Sequence, residues 1–210
     1  AAATQPQPSN PTQGSQLAYG SILLVALAAF AGGLDAVNFG AMQSFPGFQD
    51  QWCVGHFGTE STCHGEKAAI NKDWQDNFIR WGSMLLAVGG ILGSAIAGPY
   101  SARTWGRRGG ISAASACTIV ACSVCSLATS QPVFLVGRLI LGLGVGSATF
   151  CAPLYIIEVC PSQHRGAAGS LVGLFVMVGG FTATLLCLVT QNWQVVMCFP
   201  GMPAAVLLWA

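Results

Sequence analysis

Long apolar runs broken by short polar joints set the pattern of this chain. Six runs can be placed, at about 20–40, 80–100, 110–129, 132–154, 167–190 and 195–210. Each internal run is close to the ~20 residues an α-helix needs to cross a bilayer. The pattern therefore predicts an all-α membrane protein with six transmembrane helices. Residues 1–18 are polar and rich in Pro, Gln and Ser, the composition of a disordered tail. No basic stretch precedes the first apolar run, so no cleavable signal peptide is expected. The last run ends with the chain at Ala210, so the sequence is expected to be a fragment.

Composition agrees with the pattern. Only 7% of the 210 residues are charged and 53% are hydrophobic. A soluble domain is about a quarter charged, so this chain lacks the polar side chains to cover a water-facing surface. A net charge of +1 with no basic stripe gives no support to nucleic-acid binding.

Charge in the short loops sets an orientation. Loop 101–109 holds Arg103, Arg107 and Arg108 and no acid. Loop 41–79 holds Asp50, Glu60, Glu66, Asp73 and Asp76 against Lys67 and Lys72. The positive-inside rule puts 101–109 in the cytosol, with the N-terminus and loop 155–166, and puts 41–79 outside. Of the nine cysteines, Cys53 and Cys63 share that outer loop and face an oxidising space if the membrane is the plasma membrane. They pair with each other, pair with a cysteine outside this chain, or remain two free thiols. The loop, with Trp52 and Trp74, is expected to fold as a lid over the outer entrance. Cys122 and Cys125 form a C-x-x-C inside an apolar run, where packing is the better reading than redox or metal chemistry.

The stretch Pro132–Gly166 carries the chemistry. Arg138 lies well inside the fourth run, and an ionisable group within a membrane helix marks a functional site. Its partner can be found by depth. The first run enters from the cytosol, and Asp35 stands about 14 residues in, roughly 21 Å deep at 1.5 Å per residue. That leaves ~9 Å to the outer face of a ~30 Å core. The fourth run enters from outside, and Arg138, six residues past Pro132, lies ~9 Å below the same face. If the two helices are neighbours, the acid and base pair. An Asp held ionised by Arg can take a proton when that contact changes, which is the chemistry of a proton-coupled carrier. The alternatives are a static salt bridge, or Asp35 capping a helix broken within GGLDAVNFG.

Gly89, Gly93, Gly142 and Gly146 fall at G-x-x-x-G spacing, which lets helices two and four approach closely. Gly142, Gly144 and Gly146 lack the strand and Lys-Ser/Thr of a nucleotide loop. Arg103, Arg107, Arg108, Glu158 and Arg165 lie just beyond helix ends on the cytosolic side. Such a cluster suits a latch between conformations; simple orientation by positive charge is the other reading. His56, His64 and His164 fall in loops and read as surface residues. No Ser–His–Asp set, metal cluster or phosphate loop lies in the spans, so neither an enzyme nor a cofactor is expected.

These stretches resemble the sugar porters of the major facilitator superfamily, and most of all the proton-coupled monosaccharide symporters of plants and green algae. Pro153, Tyr155, Glu158, Pro161, Arg165 and Gly166 match the family's P-x-Y-x-x-E-x-x-P-x-x-x-R-G signature without a gap. Gly137, Arg138 and Gly142 match its G-R-x-x-x-G element. Gly98-Pro99 through Arg107-Arg108 resembles the loop between helices two and three, with Arg103 where most members have Asp. Gly33-Leu34-Asp35 is similar to the helix 1 G-Y-D element, with Leu34 in place of Tyr. Trp193 and Pro203 resemble helix 6.

The resemblance implies the N-terminal six-helix bundle of a twelve-helix transporter, covering about 20–210, with the C-terminal six-helix half absent. It implies a monosaccharide and a proton as cargo, a lipid bilayer as setting, Asp35 as proton site, Arg138 as its partner, and the cytosolic charges as the latch. At the helix 5 position where the family carries a sugar-binding Gln, this chain has Gly173. A side chain that neither donates nor accepts puts hexose specificity in question. Uniport, a polyol-like cargo, and a sensor that binds without flux remain the alternatives.

Overall fold

The computed structural model describes residues 11–43, 45–54, 68–160, 165–190 and 192–209. Among these the chain is helical nearly throughout. Helix α1 spans Pro11–Met42 without a break. A short helix, α2 (Pro46–Gln49), runs into a π-helical turn at Asp50–Val54. Helix α3 (Ala68–Leu92) continues through a π turn, Gly93–Ala97, into α4 (Gly98–Thr104). Helix α5 is Gly106–Ser126, α6 is Gln131–Val159 and α7 is Arg165–Val189. The last apolar run splits into α8 (Trp193–Cys198) and α9 (Gly201–Trp209).

Five of these helices are long and apolar enough to cross a membrane, and Trp193–Trp209 forms a shorter apolar unit. Five of the six expected runs thus become helices of spanning length, the sixth is shorter and split, and several boundaries move. Helix α1 begins at Pro11, inside the stretch read as a polar tail up to residue 18. Helix α3 begins at Ala68, inside the stretch read as loop 41–79. Glu158, expected past the end of its helix, is the penultimate residue of α6, because that helix runs on through Pro153. A proline inside a membrane helix is tolerated where neighbouring helices satisfy the freed carbonyl. At the α8–α9 break, Pro200 brings no N–H to continue the ladder.

Small residues set the helix spacing. A Cβ added at Gly89 would meet Leu139 O, one at Gly93 would meet Leu143 O, one at Gly142 would meet Leu86 O, and one at Gly146 would meet Gly90 O. All four glycines therefore sit in one tight α3–α6 seam, as their spacing predicts. A second seam joins α1 to α7, where Gly33 lies against Val176 O and Gly179 against Phe30 O. Gly106 turns the chain between α4 and α5 at φ +76°, a conformation L side chains avoid. Outward faces stay apolar, with Met84, Val88 and Ile91 on α3 and Met177 and Phe181 on α7 exposed. A water-soluble domain rarely leaves so large a patch uncovered.

Candidate functional site

The site lies where α1, α3, α6 and α8 meet. Asp35 is 2% exposed and Arg138 is 1% exposed. Arg138 Nη1 stands 3.7 Å from Asp35 Oδ1. Arg138 Nε donates to Gly82 O of α3 at 3.4 Å, and its guanidinium carbon lies 4.1 Å from the centre of the Phe39 ring. One buried cation is therefore surrounded by a carboxylate, a carbonyl and an aromatic face. The ion pair is loose, since neither Asp35 Oδ1 nor Arg138 Nη1 has a hydrogen-bond partner among the described residues. Such a pair keeps its Coulomb attraction in a low dielectric but lacks the bonds that would lock it.

The structure thus brings together the acid and base that depth alone singled out. Because α1 is continuous through Asp35, capping of a broken helix is no longer a reading of that residue. Two neighbours escaped the sequence reading. Phe39 lies one helical turn beyond Asp35, so its face reaches the same site. Asn38, also buried, donates Nδ2 to Val196 O of α8 at 3.0 Å. It stands three positions after Asp35, a spacing that could have flagged it.

An aromatic cluster covers the site at the end of the bundle that carries residues 45–54. Phe48 and Trp52 fold back from the segment after α1 and pack with Phe78 of α3, Phe134 of α6 and Trp193 of α8. The Trp52 and Phe134 rings lie 5.3 Å apart, and the Phe48 and Trp193 rings 5.6 Å apart. Phe39 joins this layer to the ion pair, its ring 6.1 Å from Phe134. Gln51 Nε2 donates to Ala128 O at 3.2 Å and pins the segment to the α5–α6 corner. Cys63, the side chain of Cys53, and His56, His64 and His164 lie outside the described residues, as does Pro161.

At the opposite end, Arg107 Nε donates to Glu158 Oε1 at 2.8 Å, joining the start of α5 to the end of α6. Arg165 Nε donates to Cys160 O at 3.2 Å, tying the start of α7 to the residue after α6. Arg103 and Arg108 are exposed. Among the described residues, Arg107 and Glu158 of the charges read as a latch pair across two helices. Of the signature residues, Gly137 packs against Cys125 Sγ, while Gly166 has open space around it. Tyr155 packs against two of the apolar clusters, and Cys122 and Cys125 are buried free thiols in α5.

A cavity of about 290 Å³ opens between α1, α5, α6, α7 and α9. Its polar lining is Ser115, Thr118 and Thr149, whose hydroxyls donate to the carbonyls of Ile111, Ala114 and Val145 on their own helices. The other walls are Ala, Gly, Val, Pro and Leu. These walls present no free side-chain donor to a sugar hydroxyl. Gly173 is exposed, with nothing within 4 Å of a Cβ added there, and does not line the cavity.

Residues 21–210 match the family model "Sugar (and other) transporter", and the chain belongs to that family. The family comprises transporters, and the five long apolar helices agree with an integral membrane protein. Among curated relatives, H(+)/hexose cotransporter 2 of Parachlorella kessleri is 29% identical, over 89% of this chain and 36% of its own length. The proton myo-inositol cotransporter of Homo sapiens is 32% identical, over 60% of this chain and 20% of its own. Among solved structures, the inward-open xylose transporter XylE from E. coli superposes with a TM-score of 0.72 at 19% identity, covering 91% of this chain and 47% of that one. That likeness shows the major facilitator fold. The chain spans less than half the length of the relatives it matches.

Proposed function

We propose that this chain forms the N-terminal half of a proton-coupled monosaccharide symporter that works by alternating access, its two six-helix halves rocking about a central site. Asp35 carries the proton and Arg138 is its counter-ion. The observation that carries the reading is the buried Asp35–Arg138 pair, held at 3.7 Å without a hydrogen bond between its facing atoms. A fully bonded buried pair would resist separation. A loose one exchanges its partner when the carboxylate takes a proton.

The other parts follow from position. The arginine-rich end faces the cytosol, where Arg107–Glu158 latches one conformation and Arg103, Arg108 and Arg165 supply further charge. The Phe48–Trp52 segment serves as a lid on the outer side, delaying exchange between Asp35 and the bulk solution. A Cys53–Cys63 disulfide would stiffen that lid. The membrane is the plasma membrane. The names of relatives that couple hexose or inositol to protons support the coupling.

A polyol-like cargo is the second reading. Gly173 removes the side chain that would bind a hexose, and the inositol cotransporter is among the relatives. Transport assays on the full-length protein in yeast lacking hexose carriers test both. Radiolabelled glucose and myo-inositol are followed at several external pH values, with and without an uncoupler, for wild type and Asp35→Asn. Accumulation that collapses with the uncoupler and in the mutant supports symport. Uptake that only equilibrates and survives the mutation makes the protein a uniporter and the pair a static bridge. Binding of either compound without flux makes it a sensor.

A further inference from the structure

Asn38 occupies the turn after Asp35 on α1 and is 0% exposed. Its Nδ2 donates to Val196 O. A carbonyl only accepts, so this bond fixes which end of the amide is nitrogen. Oδ1 is then a buried acceptor without a donor among the described residues, and Asp35 Oδ1 is another. Residues three apart on a helix are neighbours. Two unpartnered acceptors on neighbouring side chains of one helix can share a proton.

We propose that Asn38 Oδ1 is the acceptor for the proton carried by Asp35. The proton arriving from outside binds the Asp35 carboxylate, and the new O–H donates to Asn38 Oδ1. The carboxyl is then neutral and releases Arg138, whose charge stays against the Phe39 ring and Gly82 O. Protonation thus exchanges an ion pair between α1 and α6 for a hydrogen bond within α1. Through Val196 O the same amide ties that event to α8. The inference rests on Asp35 being the proton carrier.

Other ionisable groups around Asp35 are few. Helix α6 supplies Arg138, α5 supplies Cys122 and Cys125, and α8–α9 supplies Cys198, all near enough to interact electrostatically within the cluster. Helix α7 faces this stretch of α1 with Val176, Gly179 and Gly180. Helix α9 has no ionisable side chain. No thiol replaces an amide oxygen as acceptor for a carboxylic acid with comparable strength.

The test is the external-pH dependence of uptake by the full-length protein, combined with infrared difference spectra of its protonated carboxyl. Asn38→Leu removes the acceptor at similar volume and should move the uptake midpoint about one unit towards acid, a tenfold loss of proton affinity. Its carboxyl C=O band should move to higher wavenumber, as for an acid with a free O–H. Asn38→Asp adds a second carboxylate able to share one proton and should move the midpoint towards alkali. An unmoved midpoint in both variants, with Asp35→Asn still abolishing pH dependence, overturns the role of Asn38 and spares the carrier reading. Unchanged pH dependence in Asp35→Asn overturns both. Should the Leu variant fail to reach the membrane, the isosteric Asp variant decides alone.

Discussion

The guanidinium of Arg138 lies over the ring of Phe39, 4.1 Å from its centre, with the Asp35 carboxylate 3.7 Å from its Nη1. The cation therefore has a second, uncharged partner on the same helix as its counter-ion. A desolvated cation–π contact of this kind contributes about 2 kcal/mol. Phe39→Leu should lower the thermal unfolding midpoint in detergent by more than Phe39→Tyr, which keeps the aromatic face. Equal losses in the two variants would mean that Phe39 only fills space against Phe134.

Removing one member of the buried pair should cost more than removing both. Arg138→Met leaves the Asp35 carboxylate without its counter-ion, a loss of about 3–5 kcal/mol. Adding Asp35→Asn takes away the stranded charge while keeping the shape. The double variant should recover most of the stability, although transport stays uncoupled. A double-mutant cycle on thermal unfolding reads the coupling directly, and additive losses would show that the two side chains do not interact.

The glycines separate into tight and open positions. A methyl group at Gly142 meets Leu86 O and one at Gly146 meets Gly90 O, whereas one at Gly173 meets nothing within 4 Å. Gly142→Ala and Gly146→Ala should each force the α3–α6 seam apart at a cost of about 1–3 kcal/mol. Gly173→Ala should leave folding unchanged. Gly173→Gln puts an amide where the family resemblance places a sugar-binding Gln, and should lower the KM for glucose if that position faces the cargo.

The apolar runs and the Asp35–Arg138 depth match were legible because the rise of an α-helix is constant and the bilayer fixes where a charge can lie. The α3–α6 seam was legible because glycine spacing alone sets it. Helix ends were less so. Residues 11–18 are polar yet continue α1, and Glu158 stays helical because Pro153 does not end α6. The fold-back of Phe48 and Trp52 left no periodic signal, since insertion into the bundle depends on Phe78, Phe134 and Trp193, which come from distant parts of the chain. Asn38 stood at a spacing from Asp35 that marks a neighbour, but its burial and bond depend on Val196 of α8, from a distant part of the chain.

Trp52 and Phe48 give the proposed lid a separable readout. Both are buried among aromatic rings at the end of the bundle opposite Arg107. Trp52→Ala should open the path to Asp35 and speed deuteron exchange at its carboxyl, followed by infrared spectroscopy. Phe48→Ala empties the centre of the cluster and should destabilise the bundle by about 3–5 kcal/mol as well. Exchange as slow in Trp52→Ala as in wild type would mean that the segment is no lid.

The Arg107–Glu158 bridge should matter for motion and not for stability. Its side chains are 34% and 49% exposed, so solvent screens the 2.8 Å contact. An exposed bridge contributes about 0–1 kcal/mol, and Glu158→Gln should scarcely alter thermal unfolding. A difference of that size still shifts a two-state equilibrium by up to about fivefold when only one state contains the bridge. The neutral variant should therefore favour the conformation that lacks the bridge, changing the labelling rate of a cysteine placed at the cytosolic mouth and the maximal uptake rate. Exchanging the charges, Arg107→Glu with Glu158→Arg, restores opposite signs across α5 and α6 and should return both quantities towards wild type. If the exchange rescues neither, the two residues act separately and the contact only orients the chain in its membrane.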